Sequence, residues 1–213
     1  MRIPIAFPIL SIFFISIFFC HSVVAQSPND IYGTIENGRY VNNHLKFQLT
    51  IPDGWLVVES EEQKAAKQIG LNAVKTGDPK ADTLIEKSAK ADTLILFVSE
   101  KPLGSIENAA FGMSVTNLPS KGYTPKMLAE SFKSVFLKNP KNKLVKDISI
   151  EKIGDWLWAN VQMDLDLFGN LVHTNYFVTV IGDQALVANM SYQNSLQLQK
   201  MRTSLDGIRL ASK

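Results

Sequence analysis

The chain has 213 residues, 46% of them hydrophobic and 20% charged, with a single cysteine. That composition excludes a disordered polar chain, a collagen-like fibre and a disulfide-stapled miniature domain. With 22 Lys and Arg against 20 Asp and Glu, the formal charge of +2 gives no reason to expect nucleic acid or an anionic membrane as partner.

Much of the apolar excess is local, because residues 1 to 25 hold 18 hydrophobic residues, five of the twelve Phe and Cys20. Met1 and Arg2 give a positive start, Ile3 to Cys20 is nearly unbroken hydrocarbon, and Ser22-Val23-Val24-Ala25 ends in a small residue. This reads as a secretory signal peptide cut after Ala25. An uncleaved anchor is the alternative, since about 20 apolar residues span a bilayer. Pro4, Pro8, His21 and Ser22 shorten the ideal span and favour cleavage, and Phe19 before Cys20 is a poor setting for lipid attachment. The cleaved product carries no cysteine and a charge of +1, so disulfides, thiol nucleophiles and thiolate metal sites are unavailable to it. Its expected location is periplasmic or secreted, with no stable membrane insertion after cleavage.

Residues 26 to 37 are polar, contain Pro28, and are expected to be a flexible leader to one domain over residues 38 to 213. Tyr40 to Ile51 alternates as a hairpin with one apolar face, and Pro52-Asp53-Gly54 turns the chain and delivers Trp55. Residues 59 to 75 are rich in Glu, Gln, Lys and Ala and predict a helix. Lys80-Ala81-Asp82-Thr83-Leu84-Ile85 then recurs as Lys90-Ala91-Asp92-Thr93-Leu94-Ile95. The first copy continues as a helix or loop and the second as a strand, so context must choose between two states of one hexapeptide. Nothing else repeats, which makes this a local tandem insertion and no solenoid.

Phe111 to Thr116 predicts another strand. Thr124 caps a helix opened by Pro125, with an inward stripe of Met127, Leu128, Ser131, Phe132, Val135 and Phe136. Lys138, Lys141, Lys143 and Lys146 form a basic run, expected to be a solvated helix-to-strand loop, and Val145 to Glu151 alternates as a strand. From Trp156 to Leu167 the odd positions are apolar and the even ones amphipathic. Gly169-Asn170 signals a two-residue hairpin, which would set Asp166 opposite His173 and Asp164 opposite Asn175. Gly182-Asp183 makes a second turn that would place Tyr192 opposite His173. The strand from Gln184 to Tyr192 is apolar on both faces, and Asn194 with Gln197 opens a final helix.

These elements predict an α+β fold, a mainly antiparallel sheet with helices packed on both faces. The segment Phe47-Gln48-Leu49-Thr50-Ile51 leading to Pro52-Asp53-Gly54-Trp55, and the terminal meander Asn175 to Tyr192 closed by a helix ending Gly207-Ile208-Arg209-Leu210, resemble the PsbP and DcrB-like superfamily. The resemblance spans about residues 38 to 210 and implies an α/β/α sandwich. Together with the signal segment it implies an exported, generally non-enzymatic accessory or binding protein, acting through protein contacts or a small ligand, with no cofactor and no catalytic signature to carry over.

The candidate chemistry follows from the closing meander. Carboxylate, imidazole and phenol from Asp164, Asp166, His173, Asn175 and Tyr192 would converge near one end of the sheet, because cross-strand neighbours lie about 5 Å apart. They make either a weak ligand or metal site, imidazole and carboxylate being suited to zinc, or a plain cross-strand salt bridge. An envelope hydrolase or metal-dependent enzyme using His173 with Asp164 and Asp166 is the alternative from another class, although the chain has no Gly-x-Ser-x-Gly elbow. A stress- or adhesion-related structural protein is a third. Asp164 and Asp166 do not make a calcium loop, because Phe168 stands where an oxygen ligand is wanted. Trp156 and Trp158 are either a partner surface or core roofed by a helix. Asn189-Met190-Ser191 matches a glycosylation acceptor but falls in the doubly covered strand.

Overall fold

The computed structural model describes residues 31–75, 77, 79–105, 107–167 and 169–211. The signal segment 1–25 and residues 26–30 of the expected leader lie outside the described residues. Two antiparallel sheets organise the chain. The smaller joins β1 (Thr34–Glu36), β2 (Arg39–Asn42), β3 (Phe47–Thr50) and β11 (Arg209–Leu210) in that order. The larger contains β4 (Leu56–Val57), β5 (Thr93–Ser99), β6 (Ala110–Asn117), β7 (Lys143–Ile153), β8 (Trp156–Leu167), β9 (Asn170–Ile181) and β10 (Gln184–Tyr192). Its order is β4-β5-β6-β10-β9-β8-β7, which buries β10 at the centre. Four helices accompany them among the described residues: α1 (Ser60–Val74), α2 (Pro79–Ala91), α3 (Pro125–Phe136) and α4 (Ser195–Asp206).

The period of two in β10 explains the layering. Ala185 and Val187 point to one face, where they join Ala159, Val161, Met163, Val172 and Tyr176 under Phe132 and Phe136 of α3. Leu186, Ala188 and Met190 point to the other, where Trp158, Phe177 and Phe111 meet Met201 and Leu205 of α4 and Phe47 and Leu49 of the small sheet. A strand apolar on both faces is stable only with cover on both. The architecture is therefore the α/β/α sandwich anticipated from the sequence, with the small sheet sharing the α4 side.

Local chemistry sets the helix ends. Thr124 Oγ1 accepts the Met127 amide at 3.2 Å, with Pro125 at the first turn. Asn194 Oδ1 accepts the Gln197 amide at 3.0 Å, while Gln197 Oε1 reaches back to the amide of Gln193 at 2.9 Å. The stripe of α3 is rotated from expectation: Ala129 is buried, whereas Met127 is 51% exposed. Leu128, in the first turn, is already fully buried beside Ala129, so the inward face is turned away from Met127 toward Ala129.

Other expectations are sharpened. Residues 34–36 of the expected leader form β1, which pairs with β2, and Ile31 packs on the core. The first copy of the duplicated hexapeptide lies within α2, and the second runs from the end of α2 into β5. Trp55 anchors its turn at 8% exposure, as the Pro52-Asp53-Gly54 turn predicts.

Candidate functional site

The β8–β9 hairpin, with Tyr192 of β10, carries the candidate residues, and its register differs from expectation by two. Asp164 stands opposite His173, Gln162 opposite Asn175, and Asp166 opposite Leu171. The reason is the turn: Leu167 pairs with Asn170, and Gly169 takes φ +84°, a value glycine supports without strain. Asn170 thus belongs to the ladder instead of the loop. Because the shift is even, every side chain keeps its face. The second turn places Tyr192 opposite His173 as expected.

At this end of the sheet the His173 ring sets Nδ1 2.6 Å from Asp164 Oδ1. A carboxylate only accepts, so Nδ1 carries the proton and Nε2 is the ring atom remaining for a ligand. The Tyr192 hydroxyl donates to Asn175 Oδ1 at 3.0 Å, and its ring lies 5.6 Å from that of His173. Burial, and secondarily the Asp164 charge, push the phenol above its ordinary range. The side chain of His173 is 39% exposed and that of Asp164 19%, so the pair borders solvent.

Four of the five residues singled out from sequence therefore come together: Asp164, His173, Asn175 and Tyr192. Asp166 does not join them. Its Oδ1 accepts the Gly169 amide at 2.9 Å and its other oxygen faces Lys141 Nζ at 4.0 Å, so it serves the turn. With two donor side chains the cluster is short of a zinc set, and among the described residues no three His, Cys, Asp or Glu gather closely enough to hold a metal ion. Trp158 is fully buried, so as a partner surface the pair reduces to Trp156, which is itself half-buried against the core. Asn189 is 3% exposed inside β10, out of reach of a glycosyl transfer in the folded chain.

One concavity had no sequence signal. A cavity of about 410 Å³ lies between α4 and the turn after β3, lined by Ile51, Pro52, Asp53, Leu196, Gln199 and Lys200. Its walls come from segments some 145 residues apart, and no local pattern reports such a meeting.

No family model matches the sequence, and no curated protein matches it. Solved structures do. The solution structure of cyanobacterial PsbP (CyanoP) from Synechocystis sp. PCC 6803 is similar with a TM-score of 0.50 and 11% identity, over 88% of this chain and 98% of that one. LpqN, involved in cell envelope biogenesis of Mycobacterium tuberculosis, is similar with a TM-score of 0.47 and 12% identity, over 78% of this chain and 83% of that one. A crystal structure from Bacteroides thetaiotaomicron VPI-5482 has a TM-score of 0.45 and 10% identity, and the match covers 84% of this chain and 50% of that one. The chain has a PsbP-like fold. Identities of this size establish the fold alone, since one fold hosts many activities.

Proposed function

We propose that this chain is exported and acts as a non-enzymatic accessory or binding protein of PsbP type. The observation that carries this reading is the match to CyanoP over nearly the whole of both chains. The group of Asp164, His173, Asn175 and Tyr192, which borders solvent through His173, is its ligand or partner contact. No helix among the described residues is long and apolar enough to cross a membrane. Mass spectrometry of the tagged protein after cell fractionation tests the reading. We expect a mature N-terminus at Gln26 in the extracytoplasmic fraction, and an intact Met1 in the cytosol would refute export.

The 2.6 Å contact between Asp164 and His173 favours a second reading, in which a carboxylate-oriented imidazole serves a metal-dependent or hydrolytic enzyme. Calorimetric titration with zinc separates the two. The accessory reading expects no binding, or equal binding in the wild type and His173→Ala, whereas stoichiometric binding abolished by the substitution would favour the enzyme.

A further inference from the structure

The near-neutral charge of the whole chain conceals a local excess at one end of the large sheet. Across the α3–β7 loop and the start of β7 the side chains of Lys138, Lys141, Lys143 and Lys146 are all exposed. Lys141 faces Asp166 at 4.0 Å, and among the described residues Lys138 and Lys143 form no ion pair. Asp147, the one acid from residue 138 to 150, is engaged by Lys133 at 2.9 Å. Across the sheet Asp166 faces Lys141 and Asp164 lies against His173, so the four ammonium groups outnumber the carboxylates left to neutralise them.

Aliphatic side chains share this end. Leu137, Leu144 and Val145 are 39%, 37% and 58% exposed. The tip of the β8–β9 hairpin adds Leu171 at 52%. It is held beside the lysines because Leu171 pairs with Asp166, whose amide donates to Asn142 Oδ1 at 3.0 Å. Lys143 pairs with Asp164 on the same strand. Loop, strand start and hairpin tip therefore meet at one end of the sheet, with Leu144 on the face of Met163 and Lys143 and Leu171 on the opposite face, so that hydrocarbon and positive charge alternate around that end.

The composition of that surface points to its occupant. Protein interfaces are enriched in aromatic residues and Arg and depleted of Lys, yet residues 137 to 146 contain neither an aromatic residue nor an Arg. Lysine amines beside exposed Leu and Val suit a different boundary, where cations meet anionic headgroups and short hydrocarbon enters the acyl border. We propose that this end of the molecule docks reversibly onto an anionic lipid bilayer surface, its lysines against the headgroups and Leu137, Leu144, Val145 and Leu171 at the hydrocarbon boundary. This replaces the expectation drawn from the overall charge. It adds a place of action to the accessory reading and does not depend on export or on the His173 cluster.

The test is co-sedimentation of the full chain with vesicles of phosphatidylcholine alone, and of phosphatidylcholine with about 30% phosphatidylglycerol. The apolar segment Ile3 to Cys20 would bind both kinds alike, so the readout is the difference between them. We expect added binding on the anionic vesicles, lost in high salt, reduced more than about tenfold by the triple change Lys138→Glu, Lys143→Glu, Lys146→Glu. Val145→Asn with Leu171→Asn should reduce it severalfold; both sites are exposed, so folding, checked by circular dichroism, should survive. Equal binding to both vesicles, or no effect of the lysine changes, would overturn the proposal. So would binding of an acidic protein, and of no vesicle, that the lysine changes abolish.

Discussion

Several interactions meet at the side chain of Arg202. Its guanidinium grips both oxygens of Glu151 at 2.9 and 2.8 Å, donates through Nε to Asp206 at 2.7 Å, and lies 5.0 Å over the Phe177 ring. It ties α4 to the edge strand β7 across the sheet face, and bidentate pairs of this kind are stronger than neutral hydrogen bonds. Arg202 holds the Glu151 carboxyl below the usual carboxylate range. A depressed folded-state value gives stability that is full above the unfolded value of about 4.3 and is lost as pH falls through the folded one. Urea denaturation of Arg202→Met should show a loss of about 1–3 kcal/mol at neutral pH. The gap to wild type should narrow toward pH 3.5, and a gap independent of pH would contradict this account. Of its partners only Asp206, four residues on, lies within reach of a local pattern, whereas Glu151 and Phe177 lie 51 and 25 residues away.

At the scale of elements, the duplicated hexapeptide shows how far local sequence decides. Asp82 and Asp92 have identical neighbours on both sides, yet Asp82 sits in α2 and accepts the exposed Gly77 amide at 3.2 Å. Asp92 is 5% exposed and accepts the hydroxyl of Thr116. What differs is the continuation. Leu96, Phe97 and Val98 can fill two faces of a sheet, whereas Glu86 and Lys87 cannot be buried there without partners. Asp92→Ala should therefore cost about 1–3 kcal/mol and Asp82→Ala less than about 0.5 kcal/mol by chemical denaturation. Equal costs would mean that the copies share one environment. The hairpin teaches the same lesson about turns: its alternation made both faces legible, but the choice of which residues close the loop moved Asp164, and not Asp166, onto His173.

For the molecule as a whole, the layers meet where the β7–β8 turn touches the end of α4. Gly154 has φ +57°, and a Cβ built on it would lie 2.3 Å from the Ile208 carbonyl oxygen. Gly182, in the β9–β10 turn, has φ +63° with nothing within 4 Å. Gly182→Ala should cost about 1 kcal/mol from backbone strain alone, and Gly154→Ala distinctly more, because a layer must move as well. Thermal melts of the two variants compare them directly, and equal losses would show that this approach of the layers is not tight.

The amino-acid sequence determined what repeats at short range: the strand and helix periods, the caps at Thr124 and Asn194, the doubly apolar β10 and the α+β class. These follow from steric and hydrophobic patterns that operate within one turn or one pleat. Only the tertiary structure decided what depends on closing the chain upon itself. It seated Trp158 in the core, matched Asp164 to His173 and gathered lysine and leucine at one end of the sheet. Each of those results is a meeting of distant segments, selected by the burial available on a particular sheet face, and no window of neighbouring residues contains that information.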